Sequence, residues 1–297
     1  MSEPIVSEVE AQINSYLTHP RTTGLAKTTR DLYKTILVNQ LLPFCQLHSI
    51  PKLTPDLVDL MEDYVDFLRS NDLSAKTAQN YITVTKFFMR FLKMPLEFTY
   101  RIPRLDKQAW DLKHQRRWFS DRDIAMCKTH RFDRDHNRNH LLICLFCETG
   151  ARVGEIEHIK RGDVNIEQNQ ILLRHSKTIP RTVFFSGETS IYLEKFLKDK
   201  FPDPTTDSFK RLFPGKNQLY KITNRMLAEL GLKKKGDGRG PHTFRHFVAT
   251  DLHYNKNMEL THVAALLGDT PETISSRYLH PTAQMLQSKI KKASGWS

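Results

Sequence analysis

The spacing of the apolar residues constrains the fold of this chain more than any other feature, because it is helical along nearly the whole length. In the first hundred residues the apolar positions recur three and four residues apart, as in Leu57, Leu60, Met61, Tyr64 and Leu68. One stretch departs from this pattern and contains three short strand-like runs, at residues 164–166, 171–174 and 182–185. The sequence therefore predicts a mainly α fold with one small antiparallel β-sheet.

The length of the chain predicts two domains. The chain has 297 residues, which is too many for one small core and enough for two. Residues 1–95 have only helical patterns and are predicted to form an N-terminal helical domain. In residues 96–117 the periodicity fades among prolines and basic side chains, which favours an extended basic linker. Ser120 and Asp123 resemble a capping box, and they open a second domain expected over residues 118–297.

Hydroxyl residues and prolines predict where the first helices begin and end. Thr28 or Thr29 is expected to cap a helix that Pro43 ends, because proline disrupts a helix interior. Thr54 followed by Pro55 predicts the start of the next helix.

The surplus of basic residues favours a polyanionic partner. The chain has 45 Lys and Arg against 33 Asp and Glu, a formal net charge of +12. Nucleic acid is the commonest partner for such a charge. Basic side chains of the first domain and the linker would grip phosphates, or else form an ordinary solvated face. The candidates are Arg30, Lys76, Lys86, Arg90, Arg116 and Arg117.

The sequence favours neither a membrane protein nor a metal protein. It contains no apolar run of 18 residues, and residues 1–10 are acidic and polar, so a cytoplasmic, nucleoid-associated protein is expected. Cys144 and Cys147 form a C-x-x-C inside the apolar run 141–147, with no second Cys/His pair at metal spacing. They are predicted to be inert core residues, and no metal or cofactor is expected.

The second domain contains the residue types that strand transfer on DNA requires. A nucleophile must attack a phosphodiester, and a general acid must protonate the leaving 5′ oxygen. Cationic groups must hold the charge of the transition state, and arginine suits this because its planar fork donates two parallel hydrogen bonds. The candidates, in chain order, are Arg152, Glu155, Lys177, His242, Arg245 and Tyr278.

These candidates lie in motifs that resemble those of the tyrosine recombinase, or phage integrase, family, which includes Xer-type recombinases and transposon resolvases. The motifs are T-G-x-R-x-x-E at residues 149–155, H-x-x-R at 242–245, a hairpin lysine, and L-L-G before a Thr/Ser-rich segment ending in tyrosine. The resemblance covers residues from about 118 to 290. It implies an N-terminal core-binding (SAM-like) DNA-binding domain, a tyrosine-recombinase catalytic domain, and strand exchange through a 3′-phosphotyrosine intermediate, in integration, excision or resolution.

The resemblance also implies a role for each candidate. Arg152 and Arg245 would clamp the scissile phosphate, with Glu155 supporting Arg152 from behind. Tyr278 would attack, although Tyr254 is equally plausible as the nucleophile by composition alone.

Proton transfer would involve two further residues. By the resemblance, Lys177 would protonate the leaving oxygen, and His242 would assist in proton transfer and phosphate binding. The same hairpin also offers Arg174 and Arg181 as cations.

One position departs from the family pattern. The family normally has histidine, sometimes tryptophan, after L-L-G, whereas this chain has Asp269. An ionised carboxylate cannot donate to phosphate and repels it. Asp269 either turns away or orients another donor, or else a neighbouring residue such as His262 or His280 takes its place.

The resemblance implies double-stranded DNA recombination sites as the partner. It implies a homotetramer on two paired sites and a monomer or weak dimer when free. Residues 281–292 have an apolar stripe, Met285, Leu286 and Ile290, which would dock on a neighbouring subunit or pack on its own domain.

Two other functions are kept as alternatives. A type IB topoisomerase would use the same tyrosine chemistry as a monomer and would relax supercoils. A catalytically silent DNA-binding relative would keep the fold alone, and Asp269 is the feature that supports it. A metal-dependent nuclease is disfavoured, because the site has one carboxylate beside an arginine rather than a carboxylate cluster.

Overall fold

The chain folds into two compact units, Met1–Gln115 and Arg116–Ser297. The computed structural model describes residues 6–57, 60–71, 73, 75–94, 118–132, 135–176, 179–234, 237–279, 281 and 283–294. The predicted linker, residues 96–117, lies outside the described residues, so the domain boundaries remain a prediction. The mainly helical fold with a small antiparallel sheet is confirmed.

The first unit is a set of helices around its own apolar core. They are α1 (Val6–Thr18), α2 (Pro20–Thr23), α3 (Lys27–Ile36), α4 (Leu42–Leu47), α5 (Leu60–Ser70) and α6 (Ala75–Phe91). The helical spacing correctly predicted the inward side chains of α5, because Leu60, Met61, Tyr64 and Leu68 are all buried.

The helix that was expected to end at Pro43 continues to Leu47, so that prediction is wrong. A π-helical segment, Leu37–Leu41, joins α3 to α4, and the Leu42 N–H donates to the carbonyl of Leu37. A proline in a regular helix presses its ring against the carbonyl four residues earlier. The wider π turn relieves that contact and lets the chain stay helical.

Two predicted helix starts are also displaced. The helix α3 begins at Lys27 and no described side chain caps it, so Thr28 and Thr29 lie inside it. Thr54 and Pro55 belong to a turn, and α5 is described from its first residue five positions after Pro55. Proline suits the second position of a turn for the same reason that it suits the first turn of a helix, namely its fixed φ.

The second unit is larger and is also mainly helical. Its helices are α7 (Asp121–Thr129), α8 (His136–Thr149), α9 (Val153–Ile156), α10 (Gly187–Lys200), α11 (Lys216–Glu229), α12 (Pro241–Thr250), α13 (Leu260–Leu267), α14 (Pro271–Arg277) and α15 (Ala283–Ser294), with a π-helical segment, Asp251–Asn255, directly after α12. The capping box at the start of α7 is confirmed. The Asp123 N–H donates to Ser120 Oγ at 3.2 Å, and the Ser120 N–H donates to the Asp123 carboxylate at 2.9 Å.

The sheet follows α9 and covers one side of the core. It has three antiparallel strands in the order β1 (Val164–Asn165), β2 (Gln170–Leu173) and β3 (Arg181–Phe184). Each observed strand overlaps its predicted run. Side chains alternate across a strand, so Ile171 and Val183, which pair in the register, both face the core. The same alternation turns Arg181 inward.

The helix α8 runs through the centre of the second unit and packs against α7, α10 and α12. Cys144 and Cys147 lie on it and are buried as free thiols, so the core interpretation of C-x-x-C is confirmed. Burial raises the pKa of Cys144 to about 11 and that of Cys127 on α7 to about 12, which keeps both as thiols.

The described part of the chain has neither a metal-binding cluster nor a membrane-spanning helix. The described residues contain no group of three or more His, Cys, Asp or Glu side chains placed to hold a metal ion. Among the same residues, no helix is both long and apolar enough to cross a membrane.

Candidate active site

The T-G-x-R motif ends α8 and turns Arg152 towards the site. The helix ends at Gly150, whose φ of 58° lies in the left-handed region that favours glycine. A Cβ at Gly150 would lie 2.7 Å from Leu267 Cδ2, so the close approach of α13 also requires glycine. The next residues are extended, and they place Arg152 directly before α9.

Three arginine side chains donate hydrogen bonds to backbone carbonyls at the end of α13. The last carbonyls of a helix lack intrahelical partners and lie at the negative end of the helix dipole, so they attract cations. Each of three consecutive carbonyls accepts from a different guanidinium: Leu266 from Arg181 at 2.8 Å, Leu267 from Arg245 at 2.7 Å, and Gly268 from Arg152 at 3.4 Å. The L-L-G segment thereby gathers arginines from three separate parts of the chain.

The carboxylate of Asp269 lies between two of these arginines. Its Oδ2 atom accepts from Nη2 of Arg152 and from Nη2 of Arg245, each at 2.5 Å. The Arg245 side chain is fully buried, and 14% of the Asp269 side chain is exposed. Of the possibilities considered for this position, a carboxylate that turns away is therefore wrong.

Of the two histidines considered as replacements for Asp269, the structure describes only His262. His262 is exposed on α13, and His280 lies outside the described residues.

The two arginines form a pair of like charge, in which Arg245 is fully buried and Arg152 is half-buried. Burial opposes the charge on Arg152, but Glu155 and Asp269 outweigh it and raise its pKa. Burial, followed by the like charge of Arg152, lowers the pKa of Arg245. A guanidinium stays protonated in proteins, so this pair needs an anion beside it to offset the cost of burying both charges.

Glu155 supports Arg152 and is itself held by Arg181. The Arg152 backbone N–H donates to Glu155 Oε2 at 2.8 Å, and Arg152 Nη1 donates to Oε1 at 3.1 Å. Arg181 donates through Nη1 and Nη2 to the two carboxylate oxygens, at 2.7 and 2.8 Å. Burial raises the pKa of Glu155, but the hydrogen bonds and charges of both arginines outweigh it, and the net pKa is lowered.

Both hairpin arginines form ion pairs with carboxylates. Arg174 Nε donates to Asp163 Oδ1 at 2.5 Å, and Arg181 is buried against Glu155. Arg181 is therefore not placed to serve as the proton donor in the hairpin, because both of its Nη atoms are bonded to Glu155. Lys177, the residue predicted for that role, lies outside the described residues. The structural role of Arg181 was missed from the sequence, although its position two residues before Val183 on one face of β3 indicated an inward side chain.

Tyr278 follows α14 and is buried among the site residues. The centre of its ring lies 4.9 Å from Cζ of Arg245, 5.3 Å from the ring of His242 and 4.9 Å from the ring of His246. His242 itself is exposed. His246, whose ring also lies 4.4 Å from that of Trp118, was missed from the sequence. Its signal was its spacing, four residues after His242 on the same helix.

The alternative tyrosine lies elsewhere. Tyr254 is in the π-helical segment after α12, and Lys289 Nζ of α15 lies 4.9 Å from the centre of its ring. The structure thus brings Tyr278, and not Tyr254, to the arginine pair. It also places α15 against its own unit.

A basic cavity of about 480 Å³ opens beside Arg152. The β-hairpin and the helices α9, α11 and α12 contribute its polar lining, which includes His158, His175, Ser176, Lys216, Tyr220 and His242. Glu155 also borders it, but its oxygens are occupied by arginine. Such a lining suits an anionic backbone more than a cationic or apolar ligand.

The basic candidates of the first unit lie on two helices. Lys76 and Arg90 are exposed on α6, Lys86 on the same helix is half-buried, and Arg30 on α3 is half-buried. Burial, followed by the charge of Arg90, lowers the pKa of Lys86. The remaining candidates, Arg116 and Arg117, lie outside the described residues. Phosphate binding by this set stays a prediction.

The model of the phage integrase family matches residues 124–285, which is more than half of the chain and includes both arginines of the pair. The chain belongs to the phage integrase family. The family resemblance of the motifs is therefore confirmed.

Two relatives of this integrase-family chain are named tyrosine recombinases. Over 157 residues the chain is 31% identical to tyrosine recombinase XerA of Saccharolobus solfataricus, covering 52% of this chain and 50% of that protein. Over 164 residues it is 27% identical to tyrosine recombinase XerC of Lactobacillus leichmannii, covering 52% and 54%. The chain thus spans about half the length of the relatives it matches.

Solved structures share the integrase fold at low sequence identity. The integrase of transposon Tn1549, in complex with transposon right-end DNA, matches with a TM-score of 0.70 and 14% identity, over 97% of this chain and 99% of that one. The XerH recombinase bound to a palindromic difH substrate matches with a TM-score of 0.69 and 17% identity, over 96% and 84%. The fold expected from the motifs is confirmed.

Proposed function

We propose that this integrase-family chain is a site-specific tyrosine recombinase, which cleaves and rejoins DNA strands through a 3′-phosphotyrosine intermediate. The proposal rests on one observation. Arg152 and Arg245 both donate to the Asp269 carboxylate, and Arg245 lies beside the ring of Tyr278. The names of the relatives XerA and XerC support the same activity. Its proposed role is in integration, excision or resolution.

In the proposed cleavage step, Tyr278 Oη forms a bond to phosphorus as the bond to the 5′ oxygen breaks. Arg152 and Arg245 hold the non-bridging oxygens, whose negative charge grows in the transition state. Lys177 gives its proton to the leaving 5′ oxygen. His242 assists in proton transfer, by taking the proton that the Tyr278 hydroxyl loses, and in phosphate binding. The phosphotyrosine ester conserves the energy of the broken bond, so a 5′ hydroxyl rejoins the strand by the reverse step.

The proposed partner is double-stranded DNA that carries recombination sites. The proposed domains are residues 1–95 for core binding, 96–117 as a basic linker and 118–297 for catalysis. We expect a homotetramer on two paired sites and a monomer or weak dimer without DNA, in the cytoplasm and associated with the nucleoid. The exposed side chains Leu286 and Ile290 on α15 would serve subunit exchange, which requires α15 to leave its own unit.

The test is a covalent trapping experiment on DNA from the host element that flanks the gene. A nick near each candidate site lets the cleaved end diffuse away, and the reaction is run in EDTA and stopped with detergent. We expect a protein–DNA adduct that maps to Tyr278 by peptide mass. Tyr278→Phe should abolish the adduct while DNA affinity stays the same, and Tyr254→Phe should retain the adduct.

Two results would contradict the proposal. An adduct that persists in Tyr278→Phe would move the nucleophile to another residue. Tight, specific DNA binding by the unaltered chain without any adduct would indicate a catalytically silent protein. A two-site strand-exchange assay then separates recombination from the relaxation of supercoils by a topoisomerase-like enzyme.

A further inference from the structure

We propose that the Asp269 carboxylate is the resident anion of the arginine pair: it holds Arg152 and Arg245 together before DNA binds, and the scissile phosphate displaces it. The inference rests on the proposed function for the identity of the incoming anion. It assigns to Asp269 a positioning role through the two arginines, rather than contact with the reacting atoms.

The first observation is that one carboxylate oxygen serves both arginines. Oδ2 of Asp269 is 2.5 Å from Nη2 of Arg152 and 2.5 Å from Nη2 of Arg245. A carboxylate and a phosphodiester are both singly charged oxyanions that accept from guanidinium donors. The same two Nη2 donors cannot serve both anions fully, so a phosphate that takes them must displace the carboxylate.

The second observation is that both arginines keep other partners when the carboxylate leaves. Arg245 donates to the carbonyls of Leu267 at 2.7 Å and Gly150 at 3.1 Å. Arg152 donates to Glu155 at 3.1 Å as well as to the carbonyl of Gly268. Displacement of Asp269 therefore frees one donor on each arginine and leaves both side chains in place.

The third observation is that the exchange needs the movement of one short side chain. The Asp269 backbone N–H donates to the carbonyl of Ala264 at 3.0 Å, and the next residue, Thr270, caps α14. The backbone on both sides is thus held, whereas the carboxylate bonds, among the described residues, only to the two arginines. Rotation about χ1 moves it away from the pair, and repulsion by an incoming phosphate favours that rotation.

The consequence is self-competition for oxyanions. We call the form in which the Asp269 carboxylate has left the two arginines the open form. The apparent affinity of a ligand that binds only this form is its intrinsic affinity multiplied by the fraction of molecules that are open. Asparagine has nearly the shape of aspartate but carries no charge, so it is a weaker competitor for the guanidinium donors. Inorganic phosphate should therefore bind Asp269→Asn more tightly than the unaltered chain, on the order of tenfold.

The experiment measures inorganic phosphate binding to the full chain by titration calorimetry and thermal unfolding, at constant ionic strength. Asp269→Asn should unfold at a lower temperature than the unaltered chain in phosphate-free buffer, and phosphate should raise its Tm more. Glu272→Gln is the matched control, because Glu272 is also acidic, lies three residues on and is exposed. It should respond to phosphate as the unaltered chain does.

A purely structural role for Asp269 would lower the Tm without any gain in phosphate affinity, and that result would overturn the inference. Asp269→His, the residue that the family motif normally has here, provides a second variant if the asparagine variant does not fold. It also removes the carboxylate and should gain phosphate affinity. Equal phosphate affinity in both variants and the unaltered chain would likewise overturn the inference.

The trapping assay separates this inference from the proposed function. A gain in phosphate affinity without any covalent adduct in any variant would leave the resident anion supported and the recombinase proposal wrong. An adduct in the unaltered chain, with unchanged phosphate affinity in Asp269→Asn, would support the recombinase and reject the resident anion.

Discussion

At the scale of single residues, the buried charges of the site depend on Glu155. Its carboxylate accepts hydrogen bonds from both Nη atoms of Arg181 and from the backbone N–H of Arg152. Removing one partner of a buried ion pair leaves an uncompensated charge, which costs far more than the loss of an exposed pair. Glu155 therefore affects stability as well as the position of Arg152.

We expect Glu155→Gln to lower the free energy of unfolding by about 3–5 kcal/mol, because it leaves Arg181 buried without a counter-ion. Urea unfolding measures the change. Glu194→Gln is the control, since Glu194 pairs with Lys198 on the exposed side of α10 and should cost under about 1 kcal/mol. Equal losses in the two variants would show that Arg181 finds another partner.

A buried histidine gives the second unit a pH dependence. His140 on α8 packs against the rings of Tyr192 at 4.2 Å and His136 at 5.4 Å. Burial, followed by the charge of His136, lowers its pKa below the usual 6.5. The folded chain therefore holds His140 neutral at a pH where the unfolded chain has already bound the proton.

The sign follows from proton linkage. Above pH 6.5 the imidazole is neutral in both the folded and the unfolded chain, so it does not lower the free energy of unfolding. As the pH drops towards the lowered pKa, the unfolded chain binds the proton first and the free energy of unfolding falls. The slope is at most about 1.4 kcal/mol per pH unit. Unfolding free energies at pH 7.5 and 5.5 should differ less in His140→Phe than in the control His262→Gln, whose side chain is exposed. The same difference in both variants would exclude His140 as the source.

At the scale of elements, the contact between the end of α8 and the end of α13 builds the site. Gly150 and Gly268 both have a left-handed φ, and a Cβ on Gly268 would lie 2.8 Å from Nη1 of Arg181. Gly150 thus lets the end of α13 approach the end of α8, and Gly268 leaves room for the Arg181 side chain beside the end of α13.

Gly150→Ala should destabilise the chain by about 2–4 kcal/mol, because the left-handed conformation costs about 1–2 kcal/mol and the clash with Leu267 adds to it. Thermal unfolding and the rate of adduct formation should both fall. Gly187→Ala is the matched control: Gly187 is the first residue of α10, and no heavy atom lies within 4 Å of its added Cβ. A Gly150→Ala variant as stable as Gly187→Ala would contradict this account of the helix contact.

Local patterns predicted the elements well, and contacts between distant residues explain what was missed. The three strands, the capping box and the inward faces of the helices depend on neighbours a few positions away, which the sequence displays directly. The helix continues through Pro43 because of a π turn, which the sequence pattern did not predict. The pairing of Arg181 with Glu155, also missed, joins residues 26 positions apart. The two bonds of Asp269 span 117 and 24 positions, so the sequence indicated an unusual residue but not its partners.

At the scale of the whole molecule, the net charge of +12 favours a polyanionic partner, and the proposed binding to DNA would depend on salt. Each phosphate that a lysine or arginine neutralises releases condensed counterions, so log K falls linearly with log salt. If Lys76 on α6 binds a phosphate, Lys76→Gln should weaken binding to all duplexes alike and reduce the salt slope by about 0.9.

Fluorescence anisotropy over a series of salt concentrations measures this slope. Lys198→Gln is the control, because Lys198 is also exposed but already pairs with Glu194 at 2.8 Å. It should leave the slope unchanged. An unchanged slope in Lys76→Gln would assign this lysine to the ordinary solvated surface.

The three carbonyls at the end of α13 also have an evolutionary consequence. They belong to the backbone, so no single side-chain substitution in that segment removes the acceptors that hold the arginines. The side chain after Gly268 can therefore change during evolution while the arginine framework is inherited intact. Relatives that differ at this one position would share the same chemistry and differ in how readily a DNA strand gains access to it.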